Sequence, residues 1–190
     1  MIKELINNRI LILDGATGTM LQKYGDTPDM VRRIHREYIE AGADIIKTNT
    51  FNSLTYQESF EGAKMAREGA DQMSSLVGRR IFVAGSMGPT SKMLSLSPDV
   101  DKPEYRAISF DEMAEGYRHQ TEGLIDGGAD LLLIETIFDA LNAKAALYAI
   151  SKVQENKVTD IPVMISATIN DRQGRILTGV QVEELYNILS

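Results

Sequence analysis

The sequence predicts an α/β fold of repeated βα units around a parallel sheet, and three observations carry that prediction. Five short runs are apolar at nearly every residue, the stretches between them carry helix-start signals, and one strand entry echoes another. The runs span 10–13, 44–47, 81–84, 131–134 and 163–166. Each is too short for a helix and soon gives way to glycine or small polar residues. Continuous apolar runs of this kind belong to strands covered on both faces, as in parallel sheets.

The intervening segments are punctuated as helices. Thr27-Pro28-Asp29 supplies an N-cap, a proline at the first helical position and an acid in the first turn. Met30, Ile34, Tyr38 and Ala41 then share one face, and Gly42 ends the helix. Ser109-Phe-Asp-Glu112 is a capping box ahead of Ala114, Tyr117, Thr121 and Leu124. Ala143, Ala146, Leu147, Ile150 and Val153 repeat at helical spacing. The stretch 60–77 is helical by composition but holds two glycines, and a further helix starts near 180.

The echo joins Ala41-Gly-Ala-Asp44 to Gly127-Gly-Ala-Asp130: a helix ends on glycine and an aspartate opens the strand. Repeats of this unit imply right-handed crossovers. About five units fit in 190 residues, whereas a barrel of eight needs ~250. The pattern therefore describes either an open doubly wound sheet or an incomplete barrel. Length favours a single domain over residues 1–190.

Composition excludes several functions. A net charge of −7 without a basic cluster argues against nucleic-acid binding. Zero cysteines leave no disulfide and no thiol or Cys-zinc chemistry in these residues. No apolar stretch nears the ~20 residues that span a bilayer, and the N-terminus has no secretory h-region. The expected setting is cytoplasmic.

In a parallel barrel the site lies at the C-terminal strand ends. There the sequence places Asp14-Gly15-Ala16-Thr17-Gly18-Thr19, then Thr48, Thr50 and Phe51, then Glu135. The glycines suit a turn whose amides form an anion nest, or they serve the turn alone with Asp14 as its cap. Glu135, directly after four apolar residues, needs an open mouth or a cationic partner such as Lys47. Asp14 and Glu135 converging would suit a primary ammonium, or equally a glycosidase acid/base pair. His35 and His119 have no ligand-spaced partner and read as core or solvated residues.

Six strings occur here in the order of one known family: Ile12-Leu-Asp-Gly-Ala-Thr-Gly-Thr-Met20, Thr48-Asn-Thr-Phe-Asn-Ser53, Ala84-Gly-Ser-Met-Gly-Pro-Thr90, Ser95-Leu-Ser-Pro-Asp-Val100, Leu131-Leu-Leu-Ile-Glu-Thr-Ile-Phe-Asp139 and Leu141-Asn-Ala-Lys-Ala145. The chain resembles the homocysteine S-methyltransferase family over nearly its whole length. Within it, the chain looks most like the N-terminal domain of cobalamin-dependent methionine synthases. The resemblance implies a (β/α)8 TIM barrel, present as an N-terminal portion of about five βα units.

It also implies a site. Asp14 and Glu135 would hold the ammonium of homocysteine, the turn 15–19 its carboxylate, and Thr48, Thr50 and Phe51 its chain. The family activates the homocysteine thiol on zinc held by three cysteines, which the resemblance puts beyond Ser190. These residues alone are thus expected to bind no catalytic zinc and to transfer no methyl group. The resemblance further implies methylcobalamin as donor, recharged from methyltetrahydrofolate on downstream folate- and cobalamin-binding domains. It also implies longer loops than this chain has near 21–27 and 55–60. The alternatives are a TIM-barrel hydrolase using Asp14 and Glu135, and a non-catalytic binding fragment.

Overall fold

The structure is a computed structural model and describes residues 2–190. Helices and strands alternate after two opening helices: α1 (Ile2–Asn8), α2 (Thr17–Tyr24), α3 (Pro28–Glu40), β1 (Ile45–Lys47), α4 (Tyr56–Val77), β2 (Phe82–Met87), α5 (Phe110–Asp126), β3 (Leu131–Ile137), α6 (Ala140–Lys157), β4 (Val163–Ala167) and α7 (Val182–Leu189). The four strands are all parallel and lie side by side in sequence order, β1-β2-β3-β4. A doubly wound sheet reverses its order at a switch point. None occurs among the described residues, so the strand order lends the open doubly wound alternative no support.

Of the five expected strands, four form. The run 10–13 lies beside β1 but holds only an isolated parallel bridge, Leu13 to Ile45. Asp44 and Ile45 donate their N–H groups to the Ile12 carbonyl, and Asp14 donates to that of Ile45. Ile10 is 88% and Ile12 56% exposed. The segment thus holds one bridge at an edge where β4, also paired on one side only, forms a full ladder.

At the other edge β4 is partly exposed along its length, against full burial for β2. The expectation of strands covered on both faces thus holds in the centre of the sheet and fails at its edges. β2 and β3 also run three residues further than the apolar runs. Ser86 and Glu135 are therefore strand residues rather than loop residues.

Alternation sorts the sheet into two faces. Ile45, Phe82, Ala84, Leu131 and Leu133 point inward with Leu11, Leu13 and Met164, where Ile2 and Leu5 of α1 pack against them. Ile46 and Val83 point outward onto α3 and α4. Leu132 and Ile134 point outward onto α5 and α6.

The helix starts follow the sequence. Thr27 accepts the Met30 N–H, and Ser109 and Glu112 close a reciprocal capping box. α4 begins earlier than composition suggested, at a Thr55 cap that accepts the Glu58 N–H. Its Gly62 is there for contact: a Cβ would collide with Thr50 Cγ2.

The echoed aspartates form matching clamps at the foot of the sheet. Asp44 takes two bonds from Arg9 (3.0 and 3.1 Å), one from Arg79 (3.1 Å) and the Ile12 N–H (3.0 Å). Asp130 takes Arg67 (2.7 Å), Arg80 (2.8 Å) and the Val83 N–H (2.9 Å). Each acid ties its own strand to the preceding one and neutralises two arginines. Burial alone would raise the Asp44 pKa, but the Arg9 bonds, the Ile12 N–H and the arginine charges hold it below the usual value.

Candidate functional site

The opposite end of the sheet is built differently. Asp14, 7% exposed, accepts the Lys47 backbone N–H on Oδ2 at 2.9 Å, while its Oδ1 is buried without a partner. Burial pushes its pKa up to about 6. The Lys47 N–H and charge pull the other way, and Glu135 adds to the rise. Glu135 accepts the Ser86 hydroxyl on Oε1 at 2.5 Å and meets Lys47 Nζ on Oε2 at 3.5 Å. Asp14 and Glu135 thus share one lysine, held through its backbone on one side and its ammonium on the other. The two acids do converge, and the Lys47 pairing offered as an alternative for Glu135 is present as well.

Local strain fixes this acid. Thr136 sits at φ 61°, a left-handed conformation that β-branched residues avoid. The β3–β4 register slips between Ile134 and Ile137 at the same point. Strain of this kind costs on the order of 1–3 kcal/mol and persists where surrounding structure enforces it.

Beside the acids lies a cleft of about 720 Å³. Its walls include Ala16, Thr17, Gly18 and Thr19 from the start of α2, Thr48, Thr50 and Phe51 from beyond β1, and Ser86, Lys47 and Glu135 from the sheet. Eight of the ten expected site residues therefore face one space. Asp14 and Gly15 lie outside the lining. Gly15 has a packing reason instead: a Cβ there would approach Tyr38 Oη to 2.7 Å. Gly18 has open space around its missing side chain, which leaves the first-turn amides of α2 uncovered. Ala16 caps α2 with no side-chain bond, and Thr17 Oγ1 is buried and unpaired. The Thr17 N–H is taken by the Gly15 carbonyl at 3.1 Å, and the Gly18 and Thr19 amides are the donors this helix start offers.

Thr48 and Thr50 brace the cleft wall. Their hydroxyls bond each other at 2.6 Å; Thr50 donates to the Ser86 carbonyl and Thr48 accepts the Ser86 N–H. Gln120, fully buried, donates to the carbonyls of Thr50 and Ser86. Both threonine hydroxyl protons are committed, so these residues present methyl groups and shape rather than free donors.

Sequence reasoning missed Ser86, Asp26, Asn49, Asn52 and Glu58, which also line the cleft. Ser86 was findable: it lies two residues after inward-facing Ala84, so alternation aims it at the mouth. Asp26 and Glu58 come from loop and helix positions that no local pattern marks. Asp139 and Asn142, quoted above only within strings, prove to be anchors. Asp139 accepts the Ser95 hydroxyl and the N–H groups of Ser95 and Leu141. Asn142 accepts the Leu94 N–H and donates to the carbonyls of Pro89 and Lys92. Together they pin the long segment after β2 onto the start of α6.

His35 is a core residue, as expected. Its Nε2 lies 3.0 Å from the Lys47 carbonyl, and burial lowers its pKa. His119 lies on α5 beside Glu115 and Arg118. Among the described residues no three His, Asp or Glu side chains are grouped to hold a metal ion, and no helix is long and apolar enough to cross a membrane.

A family model described as homocysteine S-methyltransferase matches residues 11–190. The chain belongs to the homocysteine S-methyltransferase family. That match takes in both acids, the glycine turn and every strand, and it makes this a methyltransferase-type domain. Three crystal structures of the homocysteine methyltransferase MmuM from Escherichia coli share the fold. The apo form superposes with a TM-score of 0.75 at 22% identity, over 97% of this chain and 69% of that one. The metallated form gives 0.74 at 18% identity over 99% and 73%. The oxidized form gives 0.76 at 20% identity over 99% and 72%. At such identities the likeness speaks for the fold, and the family model for the membership.

Proposed function

We propose that this chain is the homocysteine-binding domain of a methionine synthase, its sheet forming the first arc of a (β/α)8 barrel. The observation that carries this reading is the pairing of two acids through one lysine beside an uncapped helix start. Glu135 receives the substrate ammonium at the cleft wall, and Asp14 supports it from just behind the lining, where its Oδ1 is buried without a partner. The first-turn amides of α2 receive the carboxylate, since helix N-termini carry partial positive charge. Phe51 and the methyl groups of Thr48 and Thr50 bound the thiol-bearing chain of two methylenes.

Zinc, in this family, keeps the homocysteine sulfur as the thiolate, the form that attacks a methyl group. The residues described here do not fit that ion: cysteine is absent and no donor cluster forms. The reading for these residues is therefore substrate positioning, with zinc ligands, methylcobalamin and methyltetrahydrofolate assigned to other parts of a parent enzyme. A hydrolase reading of the same acids draws no support from the cleft, where Phe51 is the one aromatic among the described lining residues.

Calorimetric titration of L-homocysteine into the chain at pH 7.5 tests the proposal. Saturable one-site binding is expected, with L-methionine competing. Heat from neither ligand would remove the reading.

A further inference from the structure

Lys47 is the sole cation among the cleft's described lining residues, against the carboxylates of Asp26, Glu58 and Glu135. Its ammonium has three donors, and among the described residues its single partner is Glu135 at 3.5 Å. That is long for a charge-assisted bond, which usually closes to about 2.7–2.9 Å. Glu135 itself is well held, through Ser86 at 2.5 Å. The lysine is thus anchored at its backbone by Asp14 while its head is loosely engaged. Both side chains are 17% exposed, so neither charge can be left unpaired cheaply.

A zwitterionic amino acid brings one charge of each sign into this mouth. Its ammonium can replace Lys47 on Glu135. Its carboxylate then enters a cleft dominated by acids, where the helix amides alone offer partial charge. We propose that Lys47 is a specificity-determining residue that exchanges partners. It neutralises Glu135 while the cleft is empty and turns to the substrate carboxylate once the substrate ammonium takes Glu135. Every charge stays paired through the exchange. The site thereby selects amino acids over simple amines or thiols of the same length. This inference rests on the amino-acid-binding reading above.

The experiment compares L-homocysteine with 3-mercaptopropylamine, the same molecule without its carboxylate, in the unmodified chain and in K47M and K47R. The unmodified chain should prefer homocysteine by tenfold or more. K47M should lose most of that preference through weaker homocysteine binding, with the amine unaffected or bound better, and K47R should retain it. In the unmodified chain, the 15Nζ resonance of Lys47 should shift with homocysteine and respond differently to the amine. If K47M binds homocysteine as well as the unmodified chain, or both ligands weaken equally, Lys47 is a structural counter-ion and the inference fails. An Nζ resonance unmoved by homocysteine overturns it even if K47M does not fold. A chain that binds neither ligand rejects the amino-acid reading itself, which separates the two failures.

Discussion

The two ends of the sheet use the same chemical group to opposite effect. At the foot, Asp44 and Asp130 are each ringed by two arginines and a backbone N–H, and every oxygen is occupied. At the mouth, Asp14 is as deeply buried yet keeps one oxygen bare, and Glu135 shares a distant lysine. A satisfied buried acid holds strands together. An undersatisfied one is poorly placed for stability and well placed for a ligand. The difference separates residues that maintain the fold from residues that serve the site.

The contrast can be broken most severely at the foot. Asp44→Asn sets an amide NH2 against the Arg9 and Arg79 donors and should cost about 3 kcal/mol, the upper end for bonds to a charged group. The urea midpoint should fall while homocysteine affinity per folded molecule holds. At the mouth the signs reverse. Glu135→Gln should weaken homocysteine binding roughly 30-fold, or about 2 kcal/mol, with a smaller fall in the urea midpoint than Asp44→Asn. An equal loss of stability in both variants would erase the distinction.

Asp14 sharpens it through pH. A folded-state pKa raised from 3.8 to about 6 means the native chain holds its proton more tightly than the unfolded chain. Stability therefore falls as pH rises between those values and stays lower above them. Asp14→Asn removes this penalty and should stabilise the chain at pH 8 by roughly 2 kcal/mol, the gain vanishing below pH 4. Urea melts at the two pH values read it directly. In the unmodified chain, homocysteine binding should strengthen as pH rises through 6 and the carboxylate forms.

Much of the fold was legible because its signals are local. The Ser109 box, the Thr27 cap and the apolar runs of β2 and β3 each act within a few residues, and the Asp44–Asp130 echo marked both clamps. Edges were less legible: the apolar run 10–13 looks like any other, but whether a second strand covers it is not written in those four residues. The site was half legible. Its acids and glycine turn stood out at strand ends, and the family strings bound them together. The Lys47–Glu135 contact, 88 positions apart, was among the readings because both residues end strands, whereas Asp26 and Glu58 reach the cleft from positions that no strand end marks. The packing roles of Gly15 and Gly62 were not legible because the partners they admit, Tyr38 and Thr50, come from other elements.

The irregularity at Thr136 has a reach beyond Glu135. Along β3, odd-numbered residues face inward through Glu135, yet Ile137 is buried with the outward cluster against the helices. The kinked threonine reverses the parity of the strand in a single step. An acid is delivered to the interior, and two positions later a greasy anchor is delivered to the exterior, ahead of Asp139 and the start of α6. The extra residue at Thr136 is what separates the two: a regular strand of the same length would turn Glu135 and Ile137 to the same side.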